Sequence, residues 1–472
     1  MSHSLQWGGR FEAAPDAALL AFGSSLEEDL MLAEFDVACS QAHVATLVGS
    51  GIIDVGTAHA LDAALRTIAD EIPSGEFAAQ ARASGAEDVH GAVDARVRRL
   101  APEAGEWLHA GRSRNDQVAT TLALYARDRA ARGASTCTKI ARFAIAAARK
   151  ALADETVLAA TTHWQPAQPI LLAFWLGAVA EMFVRGACRF ERVAADARAS
   201  CPLGSGACSG STLPLDRSIS AGELDFDAPS RNALDSIGDR DVALDLLHAV
   251  ARATLSASRV SEELILWCTP AFGYAHLDDA ASTGSSLMPQ KRNPDPFELV
   301  RAAAASATGS YAGALASLGG LALSYHRDLQ ETKAQVIRGT ERGLAALDAF
   351  ATALPHVRWN AEAMERRAGD GYVVATDIAD ALIAQGMSAR DAHALVGEAV
   401  SAAEKAARPL EKRDLTALTK RAQLAEPLSA PLDAHASVRA KKTSGSTSPE
   451  SVARALEQLE DVLERETGKR QR

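Results

Sequence analysis

Five short segments of the chain concentrate the residue types that bind anions and move protons. Each segment is rich in His, Arg, Lys, Asn, Gln or Ser, although the whole chain carries a formal net charge of −11. Arginine side chains and helix N-termini both bind carboxylates well, so this pattern favours a small substrate with several carboxylates. The segments are EDVH (87–90), HAGRSRNDQ (109–117), TTHWQPAQP (161–169), GSSLMPQKRNPD (284–295) and SYHRDLQETK (324–333).

Each segment also has an ordinary structural interpretation. A single histidine beside an apolar helix, such as His163, is more often a hydrogen-bonded structural residue than a catalytic one. Arg112 and Arg114 fit ordinary surface charges, and Ser285 and Ser286 fit the cap of the helix that follows them. No single segment therefore decides a function.

Several common chemistries lack their motifs. The glycines of GSGACSG (204–210) are spaced wrongly for a dinucleotide-binding turn, and the phosphate-binding loop, the esterase elbow and the zinc-protease motif do not occur. The cysteines form neither a C-x-x-C pair nor a cluster with His at zinc spacing, which predicts reduced thiols that mainly pack. They are Cys39, Cys137, Cys188, Cys201, Cys208 and Cys268.

The composition predicts a globular protein of 472 residues, with 47% hydrophobic and 23% charged residues. The acidic balance disfavours a general role on nucleic acid, where a basic stripe is expected. The N-terminal sequence MSHSLQWGGRF has neither the basic nor the apolar region of a signal peptide, and the most apolar stretch, 169–180, is shorter than the ~20 residues of a membrane span. We therefore expect a cytoplasmic protein that binds neither nucleic acid nor membrane.

Helical spacing dominates the chain, whereas alternating Val, Ile and Thr runs are nearly absent, so the sequence predicts a mostly α-helical fold. Ala58, Leu61, Leu65 and Ile68 share one face of a helix that begins after a capping residue at Asp54. Globular helices average about 12 residues, so five much longer ones indicate an extended bundle. These are predicted over 114–152, 167–200, 230–268, 294–320 and 328–352.

Loops and composition changes predict three domains. Loops rich in Gly, Ser and Pro at 202–214 and 276–295 join long helices and are candidates for function. Shorter helices follow Pro355, and Ser448 and Pro449 form a typical helix start. The prediction is an N-terminal helical domain (1–111), a central long-helix bundle domain with the signature loop (112–357) and a small C-terminal helical domain (358–472).

The segment GSSLMPQKRNPD contains the pattern G-S-S-x-M-x-x-K-x-N and resembles the signature of the fumarase/aspartase superfamily of lyases. Four other passages are similar to the argininosuccinate lyase family within it: WGGRF (7–11), HAGRSRNDQVAT (109–120), NALDSIGDRD (232–241) and YHRDLQETK (325–333). The resemblance runs from Trp7 to the passages ATDIAD (375–380) and SARDAH (388–393) and so covers nearly the whole chain.

This resemblance implies an all-α fold in which long central helices of four subunits form a twenty-helix bundle, and each active site draws residues from three chains. It also implies reversible cleavage of argininosuccinate into arginine and fumarate. Such an enzyme removes a proton beside a carboxylate, stabilises the resulting aci-carboxylate with donors and cations, and protonates the departing guanidino nitrogen. The scheme requires neither a metal nor an organic cofactor.

Carried over position by position, the resemblance makes Ser285 the general base, with Lys291 and the amide groups of its loop favouring the alkoxide, and assigns acid/base work to His163. The implied substrate contacts are Ser25, Asn115, Thr162, Asn293, Tyr325, Gln330 and Lys333. The second-rank candidates from the same passages are His90, Ser113, Arg114 and Gln165.

The chain departs from the family pattern at four places. Family members commonly have Thr at Ala110, Arg at Pro166 and Asn at His326, and the usual G-G-T near the C-terminus appears as SGST (444–447). The first three lie close to expected binding positions, so the pattern constrains the reaction type more than the affinity for substrate.

Two other functions stay open. One is a sister lyase that releases fumarate from another adduct, such as adenylosuccinate or aspartate. The other is a catalytically silent structural protein, like the lens crystallins derived from this family. HAGRSRNDQ and DLQETK favour argininosuccinate, and the presence of Ser285, His163 and Lys291 argues against a silent protein.

Overall fold

The computed structural model describes residues 16–370 and 372–469, so the passage WGGRF (7–11) lies outside the described residues. Helices dominate these residues, which confirms the predicted all-α class. The α-helices are α1 (Ala17–Gly23), α2 (Leu26–Asp29), α3 (Ala33–Gly49), α4 (Val55–Ser74), α5 (Glu76–Ser84), α6 (Val89–Leu100), α7 (Pro102–Gly105), α8 (Arg114–Ala153), α9 (Leu172–Arg198), α10 (Arg217–Glu223), α11 (Ala233–Gly238), α12 (Asp241–Trp267), α13 (Asp295–Leu318), α14 (Leu329–Ala353), α15 (Ala361–Ala368), α16 (Ala375–Ala384), α17 (Ala389–Lys405), α18 (Lys412–Arg421), α19 (Ala434–Ala440) and α20 (Pro449–Lys469).

Short strands interrupt the helices and form antiparallel pairs: β1 with β2, β3 with β6, and β4 with β5. The strands are β1 (Val157–Thr162), β2 (Gln165–Leu171), β3 (Ala275–Leu277), β4 (Thr283–Gly284), β5 (Arg292–Asn293) and β6 (Val357–Trp359). Short 3-10 helices cover Leu30–Leu32, Asp279–Ala281 and Leu354–His356. Within the described part of the chain, no helix is both long enough and apolar enough to cross a membrane.

The long helices α8, α13 and α14 begin and end within two residues of their predicted bounds. The predicted helix over 167–200 is wrong at its start, because 165–171 is strand β2 and α9 begins only at Leu172. Pro166 and Pro169 lack the N–H that a helix interior needs, and they favour extended backbone in the residue before them. The predicted helix over 230–268 is also divided, since the extended backbone of Asp239 separates α11 from α12.

Capping residues fix the helix starts as predicted. The Asp54 side chain accepts a hydrogen bond from the Thr57 N–H at 2.9 Å, and all four residues of the predicted apolar face of α4 are buried. Helix α20 begins at Pro449, directly after Ser448, whose hydroxyl accepts from the Ser451 N–H at 3.4 Å. Both starts satisfy backbone N–H groups that a helix leaves without an internal partner.

The chain divides into two compact units, and each unit takes three separate stretches of sequence. Unit 1 comprises Met1–Ser135, Cys188–Leu255 and Ala303–Ala346, and unit 2 comprises Thr136–Ala187, Ser256–Ala302 and Leu347–Arg472. The three-domain division at residues 111 and 357 stays a prediction.

Each unit has its own buried apolar core. In unit 1, Leu124, Leu203 and Phe226 are buried in one cluster with Cys39 and Cys201. In unit 2, one buried cluster gathers the C-terminal helices. Its buried members are Ile378, Leu382, Ala392, Val396, Ala403, Leu410, Leu415, Leu418 and Leu428. The unit 1 cluster includes Leu124 of α8, the helix that carries Asn115.

Candidate active site

Unit 1 brings the ends of four helices together. The segment before α2 meets the segment before α6, because the Ser25 N–H donates to the Glu87 carbonyl at 2.8 Å. It also meets the start of α14, because Gln330 Nε2 donates to the Gly23 carbonyl at 3.1 Å. The start of α8 joins the group through an ion pair between Arg114 and the Asp88 side chain. Helix N-termini carry partial positive charge and free N–H groups, so this arrangement suits anions.

Lys333 is the buried cation of this group. Its Nζ lies 2.6 Å from Asp29 Oδ1 and donates to Ser25 Oγ at 3.4 Å, while Ser25 Oγ donates to Asp29 Oδ2 at 2.7 Å. Lys333 is 5% exposed and Asp29 is fully buried. Since the ammonium and the carboxylate offset each other's burial, the two predicted substrate contacts Ser25 and Lys333 are held in one fixed cluster.

Asp88 connects a helix cap to a cation. Its side chain accepts from the Gly91 N–H at 2.7 Å as the cap of α6, and it also pairs with the Arg114 guanidinium. Burial would raise the pKa of the Asp88 carboxyl, but the charges of His90 and Arg114 and the Gly91 N–H together hold that pKa below its ordinary value. Asp88 therefore stays ionised and fixes the orientation of Arg114.

His90 is a buried residue with a carboxylate partner. Its Nδ1 lies 2.7 Å from Asp36 Oδ1, and Gln117 Nε2 donates to the same oxygen at 2.7 Å. Burial would raise the pKa of Asp36, but the charges of His90 and Arg112 and the hydrogen bonds of His90 and Gln117 together lower that pKa. This network fixes the His90 ring, as the structural interpretation of a single histidine expects.

Tyr325 and Arg240 lie close enough to influence each other's charge. Burial raises the pKa of the Tyr325 hydroxyl, and burial lowers the pKa of Arg240 to about 10. Arg240 is 4% exposed, and its Nε and Nη2 have no hydrogen-bond partner among the described residues. The backbone before Tyr325 passes close to α11, since a Cβ on Gly238 would lie 2.7 Å from the Ser324 carbonyl oxygen. Glycine at 238 thus permits the approach that places Tyr325.

Asn115 and Ser113 lie at the start of α8. The Asn115 N–H donates to Ser113 Oγ at 3.2 Å, and Asn115 Nδ2 donates to the Ala207 carbonyl at 3.0 Å. The second contact ties Asn115 to the loop at 202–210. This glycine-rich loop, whose spacing does not fit a dinucleotide-binding turn, therefore orients the Asn115 side chain.

His163 lies at the tip of the β1–β2 hairpin in unit 2. Thr162 pairs with Gln165 across a two-residue turn, whose residues His163 and Trp164 have φ of 54° and 60°. Two positive φ values are typical of the turn that matches the twist of paired strands, and they strain residues other than glycine. All four side chains are exposed, so the hairpin presents Thr162, His163 and Gln165 outward.

Ser285 lies in the loop between β4 and β5. Its Oγ accepts two backbone hydrogen bonds, from Leu287 N at 3.3 Å and Met288 N at 3.0 Å. Donors aimed at a hydroxyl oxygen favour its ionised form. Asn293 Nδ2 donates to Thr283 Oγ1 at 3.4 Å, and Lys291 is exposed.

The two segments of unit 2 are separate from each other. Among the described residues, no hydrogen bond or ion pair joins the hairpin at 157–171 to the loop at 283–293. The described residues likewise contain no group of three or more His, Cys, Asp or Glu side chains arranged to hold a metal ion. The hairpin is instead anchored to the C-terminal region, where the Thr447 hydroxyl accepts from the Leu171 N–H at 2.8 Å.

Comparison with known proteins decides the family. Residues 9–309 match the family described as Lyase, and residues 372–439 match the family described as Argininosuccinate lyase C-terminal. The argininosuccinate lyase of Deinococcus radiodurans is 39% identical over 464 residues, which are 98% of this chain and 98% of that protein. The chain belongs to the argininosuccinate lyase family.

Solved structures agree on the fold of this argininosuccinate lyase family member. EDDS lyase in complex with formate matches with a TM-score of 0.79 and 25% identity, over 96% of this chain and 94% of that chain. The class II fumarase of Schistosoma mansoni matches with a TM-score of 0.70 and 15% identity, over 84% of this chain and 90% of that chain. The fold is thus of the fumarase/aspartase type, as predicted.

The structure shows the surroundings of the four departures from the argininosuccinate lyase pattern. The Ala110 carbonyl, rather than its side chain, contacts His43 Nε2 at 3.0 Å. Thr447, in the altered C-terminal passage, is buried and its hydroxyl accepts from the Leu171 N–H at 2.8 Å. Pro166 pairs with Thr161 where the register of the hairpin shifts, which suits a residue without an N–H. His326 has a buried Nε2 without a hydrogen-bond partner among the described residues.

Sequence reasoning missed the carboxylates that hold the cations. Asp29 lies four residues after Ser25, so helical spacing on one face could have identified it. Asp88 lies inside the quoted segment EDVH, and its place directly before a helix marked it as a cap. Arg240 lies in the quoted passage NALDSIGDRD, but its burial follows only from the tertiary fold.

Proposed function

We propose that this chain cleaves argininosuccinate reversibly into arginine and fumarate. The observation that carries the proposal is membership of the argininosuccinate lyase family along almost the whole chain. The geometry of unit 1 supports it, because a substrate with three carboxylates needs fixed cations and donors, and unit 1 holds Lys333, Arg114 and several hydroxyl and amide groups at helix ends.

The substrate-binding roles are part of this proposal. Ser25, Tyr325, Gln330 and Lys333 hold carboxylates and the amino group of the substrate together with Asn115. Asn293 and Thr162 supply further contacts, and His90, Ser113, Arg114 and Gln165 support them. Fixed donors stabilise negative charge as it develops on the carboxylate, and they do so without having to reorient during the reaction.

Ser285 is the proposed general base. Its oxygen accepts two backbone N–H groups, and these donors together with Lys291 favour the alkoxide. The alkoxide takes the proton from the carbon beside a carboxylate, the electron pair forms the double bond of fumarate, and the bond to the guanidino nitrogen breaks. His163 performs the accompanying acid/base work.

The assembly and compartment are proposals as well. A homotetramer, in which three chains contribute to each site, agrees with the absence of any bond between the two unit 2 segments among the described residues. The long helices α8, α9, α12, α13 and α14 supply the length that such a bundle needs. We further propose that the enzyme acts in the cytoplasm.

A substrate-ranking assay tests the proposal. Fumarate release is followed by ultraviolet absorbance with argininosuccinate, adenylosuccinate and aspartate as separate substrates. We expect kcat/KM for argininosuccinate to exceed the other two by at least about 100-fold, since a site built for one set of polar groups rejects an analogue that leaves them unpaired. A preference for another adduct would identify a sister lyase, and no release from any adduct by the folded tetramer would indicate a silent structural protein.

A further inference from the structure

One carboxylate in unit 1 joins two distant stretches of backbone. Asp116 Oδ1 accepts from the Ser113 N–H at 3.1 Å, and Oδ2 accepts from the Gly204 N–H at 3.0 Å and the Gly206 N–H at 2.8 Å. Asp116 is fully buried. A buried carboxylate with three backbone donors fixes both stretches strongly, because leaving it unbonded would cost far more than in water.

The loop at 204–207 can take this shape only with glycine. Gly204 and Gly206 have φ of 84° and 62°, and a Cβ on Gly206 would lie 2.6 Å from the Gly210 carbonyl oxygen. The Ala207 carbonyl in this loop accepts from Asn115 Nδ2 at 3.0 Å. Asn115 therefore depends on Asp116 twice, through the helix start that carries its backbone and through the loop that orients its side chain.

We propose that Asp116 is a positioning residue for Asn115, and that its ionised carboxylate keeps the start of α8 and the loop at 204–207 in register for substrate binding. This inference rests on the proposed function, in which Asn115 contacts the substrate. Nothing in the reaction scheme requires Asp116 to touch the substrate, because both of its oxygens are occupied by backbone N–H groups.

The position of Asp116 makes it sensitive to pH. The titratable and charged groups that influence it are Arg112, Arg217, Cys39 and Cys201. Burial raises the pKa of Asp116 to about 6, although the N–H groups and Arg112 oppose this change. Protonation turns one acceptor oxygen into a donor that faces an N–H, so the register is lost as pH falls through about 6.

Protonation of Asp116 weakens substrate binding but has the opposite effect on the stability of the fold. A carboxyl whose pKa is higher in the folded state than in the unfolded chain makes the folded state take up protons more readily. Asp116 therefore does not destabilise the fold as pH falls from 8 to 5.5. We therefore expect any loss of substrate binding caused by protonation of Asp116 to be local and reversible.

The variant Asp116→Asn tests the proposal against Asp54→Asn as a matched control. Asparagine keeps one acceptor oxygen but places an NH₂ group against an N–H on the other side, so one of the two stretches is released. Asp54 also caps a helix in unit 1, yet its side chain is exposed and bonds to nearby residues of its own helix start, chiefly Thr57. We expect Asp116→Asn to lower kcat/KM by about 100-fold at pH 8 through misplacement of Asn115, and Asp54→Asn to leave it unchanged.

The pH dependence separates positioning from a merely structural role. The ratio of wild-type to Asp116→Asn kcat/KM should shrink as pH falls from 8 to 5.5, because the wild type loses its own ionised carboxylate. A ratio that stays constant over this range would overturn the proposal. Using the ratio removes the contribution of groups that titrate alike in both enzymes.

Hydrogen exchange gives a readout that does not depend on activity. In the wild-type tetramer, the amides of Gly204 and Gly206 should be protected at pH 8 and lose protection at pH 5.5, after correction for the intrinsic exchange rate. Unchanged protection would reject the proposal even if Asp116→Asn failed to fold. If wild-type enzyme released no fumarate, the proposed function would fail, whereas the exchange result would still decide whether Asp116 holds the loop.

Discussion

The candidate residues of unit 1 and those of unit 2 are held in different ways. In unit 1, Lys333 is 5% exposed and Asp29 is fully buried, and each side chain has a fixed partner from another helix or loop. In unit 2, the loop that carries Ser285 and its two strands bond to one another and to the nearby Asp279 and Asp295, and Leu287 in the loop is 84% exposed. The proposed substrate contacts of unit 1 are thus preassembled, while the proposed base is carried on an exposed segment.

This difference matches the two proposed roles, which are substrate binding in unit 1 and proton removal in unit 2. Fixed charges stabilise a developing carboxylate without reorganisation, so they belong in a rigid and buried region. A base that must be enclosed with the substrate belongs on a segment that can close over it and exclude water. The comparison predicts that removing the Ser285 hydroxyl in unit 2 changes mainly activity, whereas removing a buried charge in unit 1 changes stability as well.

Ser285→Ala should have the largest effect on activity. We expect kcat to fall by about 1,000-fold, because the general base is removed, with no measurable change in melting temperature, because the hydroxyl bonds only within its own loop. Fumarate absorbance and thermal unfolding are the two measurements. Ser286→Ala is the matched control in the same exposed loop, and it should keep most of the activity. Comparable losses in both variants would move the base elsewhere.

Lys333→Met should reduce both substrate binding and stability. The substitution leaves the Asp29 carboxylate buried without its cation, which costs about 3 kcal/mol of unfolding free energy. KM should rise at the same time, because a substrate carboxylate loses its partner. Chemical denaturation and steady-state kinetics measure the two effects.

The double variant Lys333→Met/Asp29→Asn sharpens this test. Removing the unpaired charge should restore part of the lost stability and none of the substrate affinity. A single variant as stable as the wild type would contradict the difference between the two units, because the pair would then add nothing to the fold.

Trp164→Gly should have the smallest effect, an increase in unfolding free energy of about 0.5 kcal/mol. Glycine relieves the positive φ of 60° at the hairpin tip, and this gain exceeds the entropy that glycine loses on folding. Trp107→Gly is the matched control, since Trp107 is 48% exposed and Trp164 is 51% exposed, but only Trp164 has positive φ. Equal destabilisation of both variants would show that the turn is not strained.

The sequence predicted the features that depend on local patterns. The periodic apolar faces predicted the long helices, Asp54 and Ser448 marked helix starts, and the signature around Ser285 indicated the family. The hairpin at 157–171 escaped prediction because its strands contain two prolines and little alternation. The pairing of Lys333 with Asp29 also escaped, since it joins residues about 300 positions apart and depends on how the helices pack.

The central claim is the proposal that the two unit 2 segments of one active site, which carry His163 and Ser285, come from different subunits. His163→Asn and Ser285→Ala variants, each inactive alone, can be unfolded partly and refolded together, and fumarate release from argininosuccinate then measured in the mixed tetramers. If the two residues of one site come from different chains, about a quarter of the wild-type activity should return at equal mixing. If both residues belonged to one chain, every site would keep a lesion, and silence in proven mixed tetramers would contradict the account.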